Sequence, residues 1–297
     1  MTDWRTNLPA VKGRYQENAL LSEQTWFRVG GPAELLFRPQ TAEDLVLFLR
    51  DKPGNVPVTL LGAGSNILVR DNGISGVVVR LGRGFAGIKI EGNKVIIGAA
   101  ALDRTVALTL ADAGLSGLEF LVGIPGTLGG AVKMNAGCYG QEIKDVLVWA
   151  EVMDHQGRVT RLSQTDLGFT YRHSTLEADQ IVIAACFELD CGAPAEIHQR
   201  LTQLLATREQ SQPVKGRTGG STFKNPLPQK AWELIDQAGC RGLQIGDAQV
   251  SEKHCNFLLN LGNAMAKDLE ELGEQVRRRV QAICGVELEW EVIRLGR

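Results

Sequence analysis

Apolar and polar positions change their spacing near residue 191. Before that point, short apolar runs broken by glycine predict strands with few helices. We predict strands over 56–61, 77–81, 88–90, 94–97, 146–153, 158–162 and 180–189. Turn residues at 91–93 and 154–157 predict hairpins between the strands on either side.

Beyond residue 191, apolar side chains recur every three or four positions, which is typical of amphipathic helices. We predict helices from Pro194 to about residue 207, over 230–237, and through Leu269, Leu272, Val276, Val280 and Ile283 to Gly285. The last of these places Glu274 and Arg278 four residues apart, as an ion pair. In the first part, Asp103 is placed to cap a helix that Gly114 ends.

The final residues alternate between apolar and acidic side chains. Val286, Leu288, Trp290 and Val292 fall on one face, and Glu287, Glu289 and Glu291 on the other. This alternation predicts a half-buried strand. Its three carboxylates repel one another, so the acidic face is either solvated or turns one glutamate toward a pocket or a basic partner.

Composition narrows the classes of function. The 297 residues favour two domains, and 32 basic against 34 acidic side chains leave a net charge of −2, without the basic excess of a dedicated nucleic-acid binder. The N-terminal residues are polar, and no apolar run approaches about 18 residues, so we expect a cytoplasmic protein without a membrane span. Neither the six cysteines nor the four histidines show a zinc-type spacing, so we expect reduced, buried cysteines and no metal site.

Three glycine-rich segments are candidates for phosphate binding. Residues 82–87 match the GxGxxG pattern, but a hairpin pattern follows where a dinucleotide fold needs a helix, so we interpret them as a turn. Residues 62–66 combine two glycines with Ser65 and Asn66, which suits either a phosphate cradle or a strand-end turn. Residues 123–131 are too glycine-rich for regular structure. Two loops that expose backbone N–H groups favour a dinucleotide cofactor.

Two further segments carry polar side chains whose role the local sequence leaves open. Ser221 follows two glycines and precedes Lys224 and Asn225, but Phe223 stands where a GxSxG hydrolase needs glycine. This segment is therefore either a loop entering a short strand or part of a site. Arg172 lies in a surface turn or binds a carboxylate.

In chain order, these segments resemble the UDP-N-acetylenolpyruvoylglucosamine reductases, which complete UDP-N-acetylmuramate for peptidoglycan. The similar segments are 25–31, 61–66, 123–130, 134–140, 171–172, the segment around Ser221, and 245–254. The resemblance implies an α+β fold: a two-part FAD-binding domain of the vanillyl-alcohol-oxidase-like (PCMH) type, then a smaller α+β substrate-binding domain. We expect an N-terminal segment over 1–24, the FAD-binding domain over 25–191 and the substrate domain over 192–297.

The resemblance also implies the ligands and the residues that hold them. FAD is bound non-covalently, NADPH is the co-substrate, and the substrate is UDP-N-acetylglucosamine enolpyruvate. The implied FAD-binding residues are Gly62, Ala63, Gly64, Ser65, Asn66, Gly123, Ile124, Pro125, Gly126, Thr127, Gly129, Gly130, Ala131, Asn135, Ala136 and Gly137. The implied substrate-binding residues are Tyr171, Lys224, Asn225 and Gln249.

Three catalytic residues follow from the same resemblance. Arg172 and Glu291 stabilise the negative charge that develops beside the substrate carboxylate, and Ser221 donates the proton. Glu291 is preferred to Glu289 because the family carries its acid directly before a Val or Ile, here Val292. The chain runs straight from Arg172 into the strand at 180, so it resembles the shorter class that lacks a tyrosine-bearing loop. Asp247 stands where the family commonly has glycine.

Two other functions fit the same fold. One is a flavin oxidase that acts on a sugar or an alcohol, and the other is a sugar-nucleotide-binding module without turnover. No sustained heptad or exposed apolar stripe is visible, and a monomer is expected.

Overall fold

In the computed structural model, which describes residues 4–297, the chain divides into two compact units. Unit 1 contains the residues up to Glu17, Leu35–Ala63 and Gly76–Ala206, and unit 2 contains Asn18–Glu34, Gly64–Ser75 and Thr207–Arg297. Residues 1–3 of the expected N-terminal segment lie outside the described residues. The expected domain boundaries at 24/25 and 191/192 separate parts of the chain by the ligand that each is expected to bind. These boundaries stay a prediction.

The chain forms short strands throughout and six α-helices within the described residues. The strands are β1 Arg14–Leu20, β2 Pro32–Arg38, β3 Val58–Leu60, β4 Ile67–Val69, β5 Ile74–Val79, β6 Ile88–Glu91, β7 Lys94–Gly98, β8 Leu115–Ser116, β9 Gly137–Cys138, β10 Gln141–Glu142, β11 Leu147–Met153, β12 Val159–Ser163, β13 Ile181–Glu188, β14 Asp190–Cys191, β15 Gln244–Ile245, β16 Ala248–Val250, β17 Leu258–Asn260 and β18 Ile293–Leu295. The helices are α1 Ala42–Asp51, α2 Asp103–Asp112, α3 Leu128–Lys133, α4 Pro194–Ser211, α5 Ala231–Gln237 and α6 Ala266–Cys284. None of these helices has the length and apolarity needed to cross a membrane.

Unit 1 is built around an antiparallel sheet of five strands in the order β12-β11-β13-β7-β6. Seven of the eight β13 side chains are buried or half-buried, because one face packs into a core with α2 and α3 and the other, with Ile181 and Ile183, into a core with α1. The hairpins predicted at 91–93 and 154–157 are confirmed, since β6 pairs β7 and β11 pairs β12. A second sheet has the order β1-β2-β5-β3.

A buried carboxylate fixes the beginning of α1 in unit 1. Thr41 caps the helix by accepting the Asp44 N–H, and Asp44 is 5% exposed. The Asp44 carboxylate accepts the backbone N–H groups of Lys12 (2.8 Å), Gly13 (2.7 Å) and Gln40 (3.0 Å). Because charged hydrogen bonds are stronger than neutral ones, Asp44 ties the N-terminal segment to the helix.

Unit 2 packs α5, α6 and the antiparallel sheet β15-β16-β17 around one core. On α6 the predicted apolar positions Leu269, Leu272, Val276 and Val280 are buried. The helix ends, as predicted, at Gly285 in the left-handed conformation (φ 69°). Ile283 is 58% exposed, so its predicted place in the core is wrong.

The predicted final strand is wrong in position. Residues 286–292 form only an isolated bridge between Trp290 and Phe223, and the regular strand is β18, which pairs in parallel with β4. Trp290 packs its indole against Gly273, where a Cβ would lie 2.2 Å from the ring. The alternation therefore reports burial correctly, with Leu288 and Val292 buried, but does not identify a pairing partner.

Other local predictions are also corrected. Leu102 occupies the N-cap of α2, so Asp103 is the first helical residue, and complete burial raises the pKa of its carboxyl well above the usual range. Residues 123–131 do contain regular structure, because α3 begins at Leu128. The helix from Pro194 extends to Ser211. Cys191 is exposed rather than buried.

A charged network in unit 2 joins α6 to the C-terminal residues. Glu270 accepts both Nε (3.0 Å) and Nη2 (2.9 Å) of Arg70, and Arg294 donates to Glu270 and Glu274 at 3.1 Å each. Glu274 also accepts the Trp290 indole N–H at 2.8 Å. The predicted Glu274–Arg278 pair is absent among the described residues. Glu274 instead forms an ion pair with Arg277 at 2.8 Å, and Arg278 forms one with Glu271.

We expect Glu274→Gln to weaken unit 2 only where the carboxylate is charged. Burial disfavours that charge, but hydrogen bonds from Trp290 and Arg277 outweigh it and lower the pKa of Glu274. A lowered pKa stabilises the fold above the unfolded value of about 4.3, and the gain is lost as pH falls through the folded value. Urea unfolding should show a loss of about 1 kcal/mol at pH 7 and a smaller loss at the lowest pH at which the protein still folds.

The matched control is Glu271→Gln, which removes only the exposed pair with Arg278 and should change stability by less than about 0.5 kcal/mol. A loss in Glu274→Gln that is equally large at both pH values would show that the charge is not what stabilises.

Candidate active site

The two glycine-rich loops meet in unit 1 at the hydroxyl of Thr127. A Cβ built on Gly62 would have only Thr127 Oγ1 within 4 Å, at 3.0 Å, and one built on Gly130 would have only the same oxygen, at 3.8 Å. Neither glycine has a positive φ. Thr127 is the N-cap of α3, but its side chain makes no capping hydrogen bond. Protein packing therefore does not require glycine at 130, whereas a Cβ at 62 would press on the Thr127 hydroxyl. The space at 130 fits a cradle kept open for a ligand.

Other predicted cofactor residues are used by the fold itself. A Cβ on Gly129 would lie 2.8 Å from Ala99 Cβ, and one on Gly137 would lie 2.3 Å from Gln141 O. The N–H groups of Gly129, Ala131 and Ile124 donate to backbone carbonyls, as do those of Asn135 and Ala136. These N–H groups are therefore already used within the protein, so any contact with a cofactor would involve other atoms of these residues. Such contacts stay predictions.

The end of the first loop belongs to unit 2. Gly64 has φ 69°, and a Cβ there would lie 2.3 Å from Gln24 O, so the tight turn itself requires glycine. Asn66 donates its Nδ2 to Glu291 O at 3.1 Å and accepts the Ile293 N–H at its backbone oxygen at 3.0 Å. Asn66 thereby fixes the backbone of Glu291. Gly62 and Ala63, by contrast, belong to unit 1.

Arg172 lies in a tight turn in unit 1. Thr170 and His173 exchange both backbone hydrogen bonds, at 3.0 and 3.2 Å, which leaves Tyr171 and Arg172 as a two-residue loop. Arg172 has φ 55°, and its guanidinium carbon lies 5.5 Å from the centre of the Tyr171 ring. Both side chains are half-buried.

Ser221 and Glu291 lie on directly bonded backbone segments of unit 2. Ser221 bridges to Phe257, and the next residue, Thr222, accepts the N–H of Glu291 at its carbonyl oxygen at 2.8 Å. The Thr222 N–H donates to Asn256 O at 2.7 Å. The backbone segments that carry two of the three predicted catalytic residues are therefore hydrogen-bonded to each other, and the roles of both residues stay predictions.

Asn256 supports the segment of Ser221 and was not singled out by the sequence analysis. It is 4% exposed, and its amide brackets Phe223, accepting the N–H at 3.0 Å and donating to the carbonyl oxygen at 2.8 Å. It thus substitutes for a strand neighbour beside Ser221. The available signal was a polar residue inside the otherwise apolar stretch 255–259.

The three C-terminal glutamates have different surroundings. Glu287 pairs with Arg277 at 3.0 Å and Glu289 with Lys224 at 2.5 Å, and their side chains are 78% and 72% exposed. Glu291 is half-buried. Lys224, predicted to contact substrate, is therefore held in an ion pair with Glu289, and the choice of Glu291 as the acid stays a prediction.

The remaining predicted substrate contacts lie on the same unit. Asn225 accepts the Ala231 N–H at 2.9 Å at the start of α5, and Gln249 is half-buried in the central strand β16. Asp247 holds Asn263 by accepting its backbone N–H at 2.9 Å and its amide at 3.2 Å. That structural task accounts for an acidic residue at 247. Within residues 4–297, no cluster of His, Cys, Asp and Glu could hold a metal ion.

Comparison with known proteins identifies both parts of the chain. Residues 33–163 match the FAD binding domain family, and residues 212–295 match the C-terminal domain of UDP-N-acetylenolpyruvoylglucosamine reductase. These matches confirm the predicted α+β architecture of an FAD-binding domain and a smaller C-terminal domain.

Proteins named UDP-N-acetylenolpyruvoylglucosamine reductase match over nearly the full length. The one from Gluconobacter oxydans is 58% identical over 97% of this chain and 94% of its own, and that from Acidiphilium cryptum is 57% identical over 100% and 96%. The crystal structure of UDP-N-acetylenolpyruvylglucosamine reductase from Thermus caldophilus, 39% identical, superposes with a TM-score of 0.84 over 96% of this chain and 100% of that one. The chain belongs to the UDP-N-acetylenolpyruvoylglucosamine reductase family.

Proposed function

We propose that this chain is an FAD-dependent oxidoreductase that reduces UDP-N-acetylenolpyruvoylglucosamine to UDP-N-acetylmuramate for peptidoglycan, with NADPH as the reductant. Its relatives carry the name of this reaction. The observation that carries the proposal is the hydrogen bond from Glu291 N–H to Thr222 O, which sets an acid beside the segment of Ser221. A monomeric state and a cytoplasmic location stay predictions.

The cofactor fits the opening between Gly62, Thr127 and Gly130. Bound there, FAD would supply the hydride-transfer chemistry between NADPH and the enol ether. The Thr127 hydroxyl is available there as a hydrogen-bond donor, and the missing side chain at 130 lets a phosphate approach the backbone. We assign the pyrophosphate to this opening.

Arg172 and Glu291 are assigned to charge stabilisation. Hydride addition to the enol ether builds negative charge beside the substrate carboxylate, and a fixed cation with a hydrogen-bonded acid lowers the free energy of that state. Arg172 supplies the cation, and its planar guanidinium suits a carboxylate. The tight turn at Arg172 and the bond of Glu291 to Thr222 limit how far either backbone can move.

Ser221 is assigned as the proton donor. A hydroxyl is a weak acid, so transfer depends on a strongly basic acceptor and on position rather than on a tuned pKa. Asn256 and Thr222 hold the peptide groups that follow Ser221, which restricts where the hydroxyl can point. Donation from one face would set the configuration of the new stereocentre.

We expect Gly130→Ala to weaken FAD binding by about tenfold or more while leaving the fold intact. The added methyl group meets no protein atom closer than 3.8 Å, and alanine is the better helix former. Release of FAD on dilution, followed by its fluorescence, measures the affinity. Gly129→Ala is the matched control, because its methyl group would lie 2.8 Å from Ala99 and should lower the thermal stability. FAD retention by Gly130→Ala equal to that of the wild type would exclude the cradle.

The reaction is tested by following NADPH consumption with and without UDP-N-acetylenolpyruvoylglucosamine. We expect consumption that depends on this compound. A flavin oxidase would instead reoxidise chiefly with O2, and a binding module would show no turnover.

In the same assay, Ser221→Ala should retain FAD and its reduction by NADPH but slow substrate reduction by about a hundredfold or more, because the proton donor is lost. Ser211→Ala, on the exposed end of α4, is the control and should keep full activity. Unchanged turnover in Ser221→Ala would remove this residue from the mechanism.

The choice of acid is tested by comparing Glu291→Gln with Glu289→Gln. Glu291→Gln should lower kcat by about tenfold or more, since the developing charge loses its partner. Glu289→Gln breaks only the exposed pair with Lys224 and should leave kcat within about twofold. A loss confined to Glu289→Gln would mean that the two residues are assigned the wrong way round.

A further inference from the structure

We propose that Asn135 is a positioning residue for Arg172. It attaches the turn that bears the Arg172 guanidinium to the end of α3. The inference rests on the proposed role of Arg172. Asn135 is fully buried and belongs to the same unit as Arg172. Its side chain is therefore assigned to the protein rather than to the cofactor.

The amide of Asn135 makes three hydrogen bonds to two other segments of the chain, at 142–144 and at 170. Nδ2 donates to Thr170 O at 3.0 Å and to the Glu142 carboxylate at 3.1 Å, while Oδ1 accepts the Lys144 N–H at 3.1 Å. Both amide hydrogens are thus used within the protein. Thr170 is the residue that opens the Tyr171–Arg172 loop, so one of these bonds acts directly on the turn.

A second bond anchors the other side of the same turn. Ser174, which is 4% exposed, donates its hydroxyl to Lys133 O at 2.6 Å. The end of α3 therefore holds the chain two residues before Arg172 and two residues after it. With both ends attached and only two residues in the loop, the backbone of Arg172 has little freedom.

The chemistry of the site explains why asparagine stands at 135. The residue has φ 46°, a left-handed conformation that asparagine tolerates better than most residues. Aspartate would place an oxygen against the Glu142 carboxylate and the Thr170 carbonyl, where two donors are needed. Arg172 also has a positive φ, 55°, which the surrounding hydrogen bonds must maintain.

Loss of this anchor should act on one half of the reaction. A displacement of about 1 Å in a charge-stabilising group can cost about a hundredfold in rate. Hydride delivery from NADPH to the cofactor develops no charge beside the substrate carboxylate. Only the step that reduces the enolpyruvyl group should depend on where the guanidinium lies.

The test is Asn135→Gly in the FAD-loaded enzyme, because glycine keeps the positive φ and removes all three side-chain bonds. We expect NADPH to reduce the bound flavin within about twofold of the wild-type rate. Reoxidation by UDP-N-acetylenolpyruvoylglucosamine without oxygen should slow by about tenfold or more. In an Arg172→Ala background, Asn135→Gly should add less than about twofold, because both changes remove the same interaction.

Two controls keep the outcomes distinct. Asp44→Ala removes three hydrogen bonds from a buried side chain outside the site and should leave both steps near wild type. If Asn135→Gly does not fold, Ser174→Ala replaces it in the test. This variant breaks the second anchor and should slow the same step. The inference would be overturned if Asn135→Gly slowed reoxidation equally in the presence and absence of the Arg172 side chain. It would also be overturned if Arg172→Ala slowed reoxidation and Asn135→Gly did not. Unimpaired reoxidation in Arg172→Ala would instead overturn the proposed function of that arginine.

Discussion

Backbone hydrogen bonding outside regular strands is the constraint on which the candidate site depends. Ser221, Arg172 and Glu291 all lie in segments that form isolated bridges or turns. A buried peptide group without a partner costs about 1–3 kcal/mol, so these segments need partners from side chains. Asn256 brackets Phe223, Asn135 bonds Thr170 and Asn66 bonds Glu291. Side-chain amides can do this because they carry both a donor and an acceptor, like the peptide group that they replace.

The same constraint shows why the sequence predicted the sheet of unit 1 well and the C-terminus poorly. Hairpins such as β6–β7 pair residues close in sequence, and alternating burial with a turn between them specifies that pairing. Trp290 instead meets Phe223, 67 positions earlier, and the only regular strand nearby pairs with β4, more than 220 positions away. Alternation reports which side chains are buried, but it carries no information about so distant a partner.

Within the site, the resemblance identified the relevant segments. The hydrogen-bond and ion-pair partners of individual polar side chains could be identified only from the structure. Lys224 and Glu289 are 65 positions apart and form an ion pair, and Asp247 holds Asn263. Neither contact follows from local residue types. Asn256 gave a local signal, because a buried polar residue in an apolar stretch implies a hydrogen-bond partner, but that signal does not name the partner. Only the tertiary contacts therefore show which polar residues near a site stabilise the fold and which are left to bind a ligand.

Glycine shows the same division in a sharper form. In the sequence, the segments 62–66 and 123–131 give a single signal, backbone exposed to a phosphate. In the structure, Gly64 is required by its positive φ and Gly129 by Ala99, and a Cβ at 62 would press on Thr127, whereas Gly130 has no such requirement from the protein. A glycine that the fold does not need is the more informative one, because its missing side chain leaves room for something outside the chain. The cofactor cradle thus depends on open space, and the catalytic segments depend on buried amides. Because these supports use different residues, cofactor binding and the placement of the catalytic groups can fail separately.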